Sequence, residues 1–161
     1  MHEPIPHLMN KISPGGVIVG GVVDIVSTGV FALPLTLYIM VKFNLVRVPP
    51  DQIQIAMAAA IHTSLVLSIL QYMPGIVGSI LGGYVAAVIA KHNDLLNGAL
   101  SAFLCVAFGI YAWVTMKMSV PAYQHVLGFV MSPALGMLGG YLRFAQKNSR
   151  VSARESAPGI Q

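Results

Sequence analysis

Charged residues and cysteines are the scarcest components of this sequence. Only 9% of its 161 residues are charged, whereas soluble domains average about 25%, so the chain cannot build a water-facing surface. A disordered chain would need a still more polar and charged composition. Cys105 is the single cysteine, which excludes a disulfide-stapled secreted module.

Acidic residues are especially few. Five Asp and Glu residues stand against nine Lys and Arg residues, so the net charge of +4 reflects missing acids rather than a basic patch. Nucleic acid is therefore not an expected partner. Hydrophobic residues instead reach 56%, and the mean hydropathy is +0.76. This composition predicts an integral membrane protein of one domain, with the lipid bilayer as its first partner.

The hydrophobic residues fall into four long segments. A transmembrane helix needs about 20 apolar residues, and a helix satisfies its backbone polar groups within one segment. We therefore predict an all-α integral membrane protein, a four-transmembrane-helix bundle within residues 1–145, followed by a polar, disordered tail at 146–161. The first segment is too long for the apolar region of a cleavable signal peptide. An interfacial helix is predicted at 51–60, and the spans cover about 15–41, 61–90, 95–114 and 122–142.

The second hydrophobic segment allows two arrangements. It forms either one tilted helix kinked at Pro74 or two spans separated at residues 72–75, which would make five spans in all. Cytoplasmic loops carry an excess of Lys and Arg. Four spans divide the basic residues six to three, with both termini in the cytoplasm. Five spans divide them seven to two, with the N-terminus outside, so charge counting alone slightly favours five.

An internal repeat favours four spans. The tetrapeptide Leu-Gly-Gly-Tyr at 81–84 recurs at 138–141, and a basic residue follows each copy within about eight positions. Small residues also open both the first and the third span. This pattern predicts a duplicated helical hairpin, whose two halves must begin on the same side of the membrane. We therefore predict four spans with both termini in the cytoplasm.

Small residues recur at four-residue spacing along every predicted span. Helices in lipid associate through close backbone approach and interhelical hydrogen bonds, which small residues permit. Four thin helices cannot bury so many small faces among themselves, so we expect a homo-oligomer or assembly with other membrane-protein subunits. The predicted packing positions are Gly16, Gly20, Gly78, Gly82, Gly83, Gly109, Gly128, Ser132, Gly136 and Gly140.

Asp24 is the acidic residue predicted to lie inside the membrane. It sits near mid-depth of the first span, where a charged carboxylate costs at least about 2.5–3.5 kcal/mol. One interpretation makes it a proton or cation site. The other makes it a hydrogen-bonded helix contact, paired with Ser27, Thr28 or a neighbouring helix. His62 is the second candidate for an ion or proton site, because it would approach Asp24 in the five-span arrangement.

Cofactor and catalytic patterns are weak in this sequence. In the four-span arrangement, His62 and His125 enter from the same side, as one bis-histidine haem would require. Nothing else supports haem, and the ligand spacing of a zinc site is missing, so we expect no cofactor and no metal. The sequence also shows no nucleophile–base pair, phosphate-binding loop or acid pair, so we expect no enzymatic activity.

Two stretches of the sequence carry a family resemblance. Residues 81–90 read Leu-Gly-Gly-Tyr-Val-Ala-Ala-Val-Ile-Ala, and residues 95–100 read Leu-Leu-Asn-Gly-Ala-Leu. They resemble small uncharacterised bacterial four-span membrane proteins with a Gly-Gly-Tyr-Val-Ala-Ala motif ending the second span. Val88 departs from that pattern, which has Arg at this position. The resemblance implies four spans and a multi-pass location in the bacterial inner membrane, and it implies no activity.

Two functional hypotheses follow from the sequence. The first is a non-enzymatic structural or accessory subunit that packs through its small-residue helix faces into an oligomer or larger membrane complex. The alternative is a small channel or transporter with Asp24 as its intramembrane proton or cation site. The two hypotheses make opposite predictions for Asp24→Asn. A structural role tolerates the amide, which still forms hydrogen bonds, whereas an ion or proton site loses its flux.

Overall fold

The computed structural model describes residues 12–116 and 122–155, and side chains within 12–115 and 126–150. Every regular element in these ranges is helical. Lys11, Lys117 and the chain beyond Glu155 lie outside the described residues, as does the side chain of His125. The elements are α1 (Pro14–Lys42), a one-turn 3-10 helix (Leu45–Arg47), α2 (Ile53–His62), α3 (Leu65–Leu70), α4 (Met73–Ala90), α5 (Asp94–Met116) and α6 (Ala122–Glu155).

Four segments are long and apolar enough to cross a membrane. They are Pro14–Lys42, Leu65–Ala90, Asp94–Thr115 and Val126–Arg150. The second combines α3 with α4, so the described residues provide four such segments and not five. The predicted kink lies a little earlier than expected. The helix is interrupted at Gln71 and Tyr72, and Pro74 occupies the first turn of α4, where its missing N–H removes no helical hydrogen bond.

The helices alternate in direction. Gly16, near the start of α1, lies against Ala86 near the end of α4, whereas Thr28 lies beside the Pro74 carbonyl at the start of α4. The α5 and α6 helices are also antiparallel, because Gly140 lies against Asp94 and Gly109 faces Phe129. The start of α1, the α4–α5 turn and the end of α6 therefore share one end of the bundle, which we call the turn end.

Asn97 ties the turn end together. Its side chain is fully buried, and its amide nitrogen donates to the carbonyls of His92 and Asn93 at 2.9 and 3.1 Å. Its Oδ1 accepts the Ser13 N–H at 2.8 Å, at the cap of α1. Lys91 ends α4 in the left-handed conformation, with φ of 59°. The beginning of α1 is thereby fixed to the α4–α5 turn.

The last helix extends beyond the expected boundary of the transmembrane domain. Residues 146–155, predicted as part of a disordered tail, are helical because α6 continues to Glu155. The Tyr84 hydroxyl donates to Gln146 Oε1 at 2.6 Å, and Lys147 Nζ donates to the Lys91 carbonyl at 3.3 Å. Basic residues near a helix C-terminus also complement its dipole. These interactions anchor the first of the additional turns to α4 and the residue that follows it.

A separate apolar cluster lies at the other end of the bundle. Ile39 near the end of α1 is buried with Leu45, Ala60 of α2 and Leu67 of α3. The predicted interfacial helix thus corresponds to α2, which packs against the end of α1. His62 ends α2 and is exposed.

Glycines allow close backbone approach between the long helices. A Cβ atom added at Gly82 of α4 would lie 2.6 Å from the Gly20 carbonyl oxygen of α1 and 2.7 Å from Asp24 Cβ. A Cβ at Gly83 would overlap the Gly136 backbone of α6. Seven of the ten predicted packing positions have such contacts inside the chain: Gly16, Gly20, Gly78, Gly82, Gly83, Gly136 and Gly140.

The remaining three predicted packing positions differ. A Cβ at Gly109 would make an ordinary 3.5 Å contact with the Phe129 ring, and a Cβ at Gly128 would meet nothing within 4 Å. Ser132 is half-buried, and its Oγ lies 3.2 Å from Ser79 Oγ. Gly109 and Ser132 thus make ordinary contacts with neighbouring helices, and Gly128 faces open space.

Candidate functional site

Asp24 lies on α1 at the centre of the bundle, with 1% of its surface exposed. Two glycines of α4 make space for its side chain. A Cβ at Gly82 would lie 2.7 Å from Asp24 Cβ, and a Cβ at Gly78 would lie 3.1 Å from Asp24 Oδ1. Because neither position carries a side chain, the carboxyl group packs directly against α4 and contacts Ser79 of α4 and Cys105 of α5.

Hydroxyl and thiol groups surround this carboxyl group. Ser79 Oγ of α4 lies 3.3 and 3.1 Å from the two carboxyl oxygens, and Thr28 Oγ1 lies 3.4 Å from Oδ1. The Cys105 thiol of α5 is a further hydrogen-bonding neighbour. Ser132 of α6 reaches the group through Ser79. We call these five residues, which come from all four long helices, the Asp24 cluster.

The hydrogen-bond directions in the cluster depend on whether Asp24 is charged. A carboxylate only accepts hydrogen bonds, so the single Ser79 proton is donated to it. Beside a carboxylate, Ser132 therefore donates to Ser79, although either hydroxyl group can donate in this contact. The result is a chain of two hydroxyl groups that ends on Asp24.

The cluster contains no positive side chain. Among the described residues, the groups that contact the Asp24 carboxyl are hydroxyls and a thiol, and none is Lys, Arg or His. His62 is exposed at the end of α2, a helix that packs near Ile39. Ile39 lies roughly 22 Å along the helix axis from Asp24 at 1.5 Å per residue. The structure therefore does not bring the two predicted ion-site residues together.

A cavity of about 410 Å³ lies beside the cluster, between α4, α5 and α6. Its wall includes four members of the cluster but not Asp24, which lies behind Ser79 and Thr28. The rest of the wall is mainly aliphatic and aromatic. The lining residues outside the cluster are Tyr72, Gly75, Ile76, Val106, Leu127, Gly128, Phe129, Met131 and Leu135.

The opposite side of Asp24 is closed. Toward the turn end, Gly20 and Gly82 bring α1 and α4 into backbone contact, and a Cβ at Gly20 would lie 2.6 Å from Ala86 Cβ. Ser101 and Ala102 of α5 are fully buried there. The cluster is therefore adjacent to open volume on one side and to tightly packed helices on the other.

Sequence reasoning identified Asp24 and its neighbour Thr28 on the same helix, but not the partners of Asp24 on other helices. The sequence indicates Ser132 only as a packing position and Cys105 only as the single cysteine, and it does not single out Ser79. Their common depth could have linked them, because each lies near the middle of its own span. Which of them face Asp24 depends on helix rotation, and a spacing within one helix does not specify that rotation.

Comparison with known proteins gave no match: no protein-family model, no curated protein and no solved structure is similar to this chain. The resemblance to bacterial four-span proteins therefore stays a prediction. The functional argument that follows depends on the geometry of the Asp24 cluster and its cavity.

Proposed function

We propose that the protein is a small membrane transporter or channel in which Asp24 is the intramembrane proton or cation site. One observation supports this proposal most strongly: a fully buried carboxyl group is surrounded by hydroxyl and thiol groups, with no positive partner in the described chain. An unpaired buried charge is strongly destabilising. The negative charge of Asp24 must therefore be compensated by a bound proton or by a cation that enters the protein.

The neighbouring cavity gives such a cation a route. Ser79 and Ser132 line the cavity, and Ser79 also contacts both Asp24 oxygens. A proton arriving from the cavity passes along these two hydroxyl groups, each of which both accepts and donates a hydrogen bond. A hydroxyl oxygen could also help to coordinate a hard cation beside the carboxylate.

Release toward the other side requires the helices to separate. The glycine contacts between α1 and α4 block the path from Asp24 to the turn end. The interruption at Gln71 and Tyr72 is the point at which α4 would hinge relative to α3. We therefore propose alternating access, in which tilting of α4 closes the cavity and opens the glycine contact.

The orientation and location proposed from the sequence are compatible with this arrangement. Among the described residues, five basic residues lie at or beyond the turn end of the helices, and two lie at the opposite end. By the positive-inside rule the turn end faces the cytoplasm. The proposed location is the bacterial inner membrane, with the cavity adjoining the outer half of the bundle.

The test is cation flux through purified protein in liposomes. Proton flux is followed with an enclosed pH-sensitive dye, and uptake of radioactive sodium or rubidium is measured in parallel. Asp24→Asn keeps the shape and the hydrogen-bonding capacity but removes the exchangeable charge, so we expect at least a tenfold loss of flux. Asp94→Asn is the matched control, because Asp94 is also buried but lies at the start of α5 outside the cluster.

Equal flux in the Asp24→Asn and Asp94→Asn proteins would contradict the proposal. Circular dichroism and elution as a single species in detergent establish that both variants are folded. A loss confined to Asp24→Asn supports transport, whereas a loss in both would assign the effect to folding and overturn the role of the cluster.

A second proposal is a non-enzymatic structural or accessory subunit that packs into a homo-oligomer or a larger complex. Gly128 supports it, since this glycine is exposed and nothing lies within 4 Å of an added Cβ. The particle mass in mild detergent tests it, and a particle containing one chain would contradict it. We prefer transport, because Gly128 also lines the cavity and most of the other glycines make contacts within the chain.

A further inference from the structure

We propose that the cavity beside the Asp24 cluster binds a small organic ammonium ion with an apolar body, with Asp24 as its counter-ion. This inference rests on the proposed transport function and names its substrate class. It follows from the size of the cavity, the separation of its polar and apolar walls, and the sign of the charge behind its polar wall.

The cavity is much larger than a bare inorganic ion. Its volume of about 410 Å³ lies within the range of roughly 300–1,000 Å³ that is typical of small-molecule sites. A proton or a monovalent metal ion at the cluster would leave nearly all of this volume unused. An organic molecule with several carbon atoms fills it.

The cavity wall is divided into two parts. Ile76, Leu127 and Leu135 contribute aliphatic surface, and Tyr72 and Phe129 contribute aromatic surface. Such a surface gains free energy by covering an apolar body, at about 25 cal/mol per Å² removed from water. The polar groups are instead the hydroxyls and thiol of the Asp24 cluster. The ligand is therefore expected to be amphiphilic, with one polar end.

The chemistry of the polar part identifies that end. An ammonium group carries three N–H donors and no acceptor, and the Ser79, Ser132 and Thr28 oxygens can all accept from it. The carboxyl group of Asp24 lies directly behind Ser79, at 3.1 Å from its Oγ. A carboxylate ligand would face this acid unfavourably, and a neutral alcohol would leave its charge uncompensated. A cation satisfies both requirements.

Binding of the ammonium ion would displace the compensating proton from Asp24. The carboxylate then balances the ammonium charge from behind Ser79 and Thr28, and the proton leaves along Ser79 and Ser132. Because the carboxyl group accepts either the proton or the ammonium ion as its positive partner, the two compete. The predicted transport reaction is therefore exchange of protons for organic cations.

Binding to purified full-length protein tests this proposal. The probe is 2-phenylethylamine, which is cationic at neutral pH, and its affinity is measured by titration calorimetry with empty detergent micelles as the blank. 2-Phenylethanol shares the apolar body without the charge, and ammonium chloride has the charge without the body. We expect 2-phenylethylamine to bind at least tenfold more tightly than either, and Asp24→Asn to remove this preference.

Two glycines provide an independent test that leaves Asp24 unchanged. Gly128 of α6 and Gly75 of α4 both line the cavity, and a Cβ at either position would meet nothing within 4 Å. Gly128→Leu and Gly75→Leu should therefore fold while filling the cavity, and each should weaken 2-phenylethylamine binding at least tenfold. Gly29→Leu is the matched control, since Gly29 is equally open but does not line the cavity.

The outcomes separate this inference from the transport proposal. Equal affinity for 2-phenylethylamine and 2-phenylethanol, or affinity unchanged by Asp24→Asn, would overturn the substrate class even where Asp24-dependent proton or sodium flux persists. A similar loss in Gly29→Leu would indicate partitioning onto exposed apolar faces and would also overturn it. Failure of transport itself is recognised separately, by flux that does not depend on Asp24.

Discussion

At the scale of single residues, Ser79 connects the cavity to the buried acid. Its hydroxyl group contacts both carboxyl oxygens of Asp24 and the hydroxyl group of Ser132, and it is almost completely buried. A hydrogen bond to a charged group contributes about 1.5–3 kcal/mol. Ser79 is therefore expected to stabilise the carboxylate form of Asp24 and to pass protons to it.

Removing this hydroxyl group should slow transport. We expect Ser79→Ala to reduce proton flux in liposomes roughly tenfold, which corresponds to about 1.4 kcal/mol at 25 °C. Ser27→Ala is the matched control, because Ser27 Oγ on α1 bonds to the helix carbonyls of Val23 and Asp24 and to no neighbouring helix. Unchanged flux in Ser79→Ala would remove the hydroxyl route from the mechanism.

Asn97 carries a structural role at the same scale. Its amide joins the α4–α5 turn to the cap of α1, and losing it leaves buried carbonyl and N–H groups unsatisfied. We expect Asn97→Ala to destabilise the protein by about 1–3 kcal/mol, seen as a lower thermal unfolding temperature in detergent. Gln54→Ala on the exposed face of α2 should change the free energy of unfolding by no more than about 0.5 kcal/mol. Equal effects would contradict this role.

At the scale of helices, close packing of α1 against α4 both positions Asp24 and closes one side of the site. The contact depends on Gly20 and Gly82, where an added Cβ would meet backbone oxygen at 2.6 Å in each direction. Neither oxygen can move without shifting a helix. The two helices would therefore have to separate around any side chain introduced at Gly82.

A methyl group at Gly82 should reveal this constraint. Overpacking of a tight contact costs about 1–3 kcal/mol, so Gly82→Ala should lower the thermal unfolding temperature in detergent. Gly29→Ala replaces an open glycine in the middle of α1 and should be neutral or stabilising by up to about 1 kcal/mol. If Gly82→Ala is as stable as Gly29→Ala, the α1–α4 contact is not as close as described.

The sequence predicts the number of long helices but not how they face one another. Runs of apolar residues predict four segments that can span a membrane, and the charge content indicates Asp24 as the buried acid. The partners of Asp24 depend on how four helices rotate about their axes, which spacing within a single helix leaves undetermined. The helix is interrupted two to three residues before Pro74 rather than kinked at Pro74, because proline is tolerated in a first turn as well as at a kink. The extension of α6 depends on contacts of Gln146 and Lys147 with α4 and the turn beyond it.

At the scale of the whole molecule, the bundle is open beside Asp24 in one half and packed closed in the other. Cys105 is the single cysteine of the chain and lines the open cavity. The wild-type protein thus carries a chemical reporter of this asymmetry without any engineering. Its reaction with a maleimide measures how readily a small molecule enters the cavity.

Cavity filling should slow this reaction. We expect Gly128→Leu to reduce the rate of N-ethylmaleimide labelling of Cys105 at least tenfold in liposomes, because the new side chain occupies the space between α5 and α6. Gly29→Leu should label at the parental rate, and Cys105→Ser should not label at all. Equal rates in the two leucine variants would show that the cavity is not the route to Cys105.

The central claim is that a proton and a cation replace each other at the carboxyl group of Asp24. Infrared difference spectroscopy of the protein in lipid tests this claim most directly. A protonated carboxyl group has a carbonyl stretching band that a carboxylate lacks. The account predicts that such a band, missing from the Asp24→Asn protein, disappears from the wild-type spectrum when 2-phenylethylammonium, sodium or alkaline buffer is added. A band assigned to Asp24 that none of these treatments changes would contradict the account and identify Asp24 as a fixed helix contact.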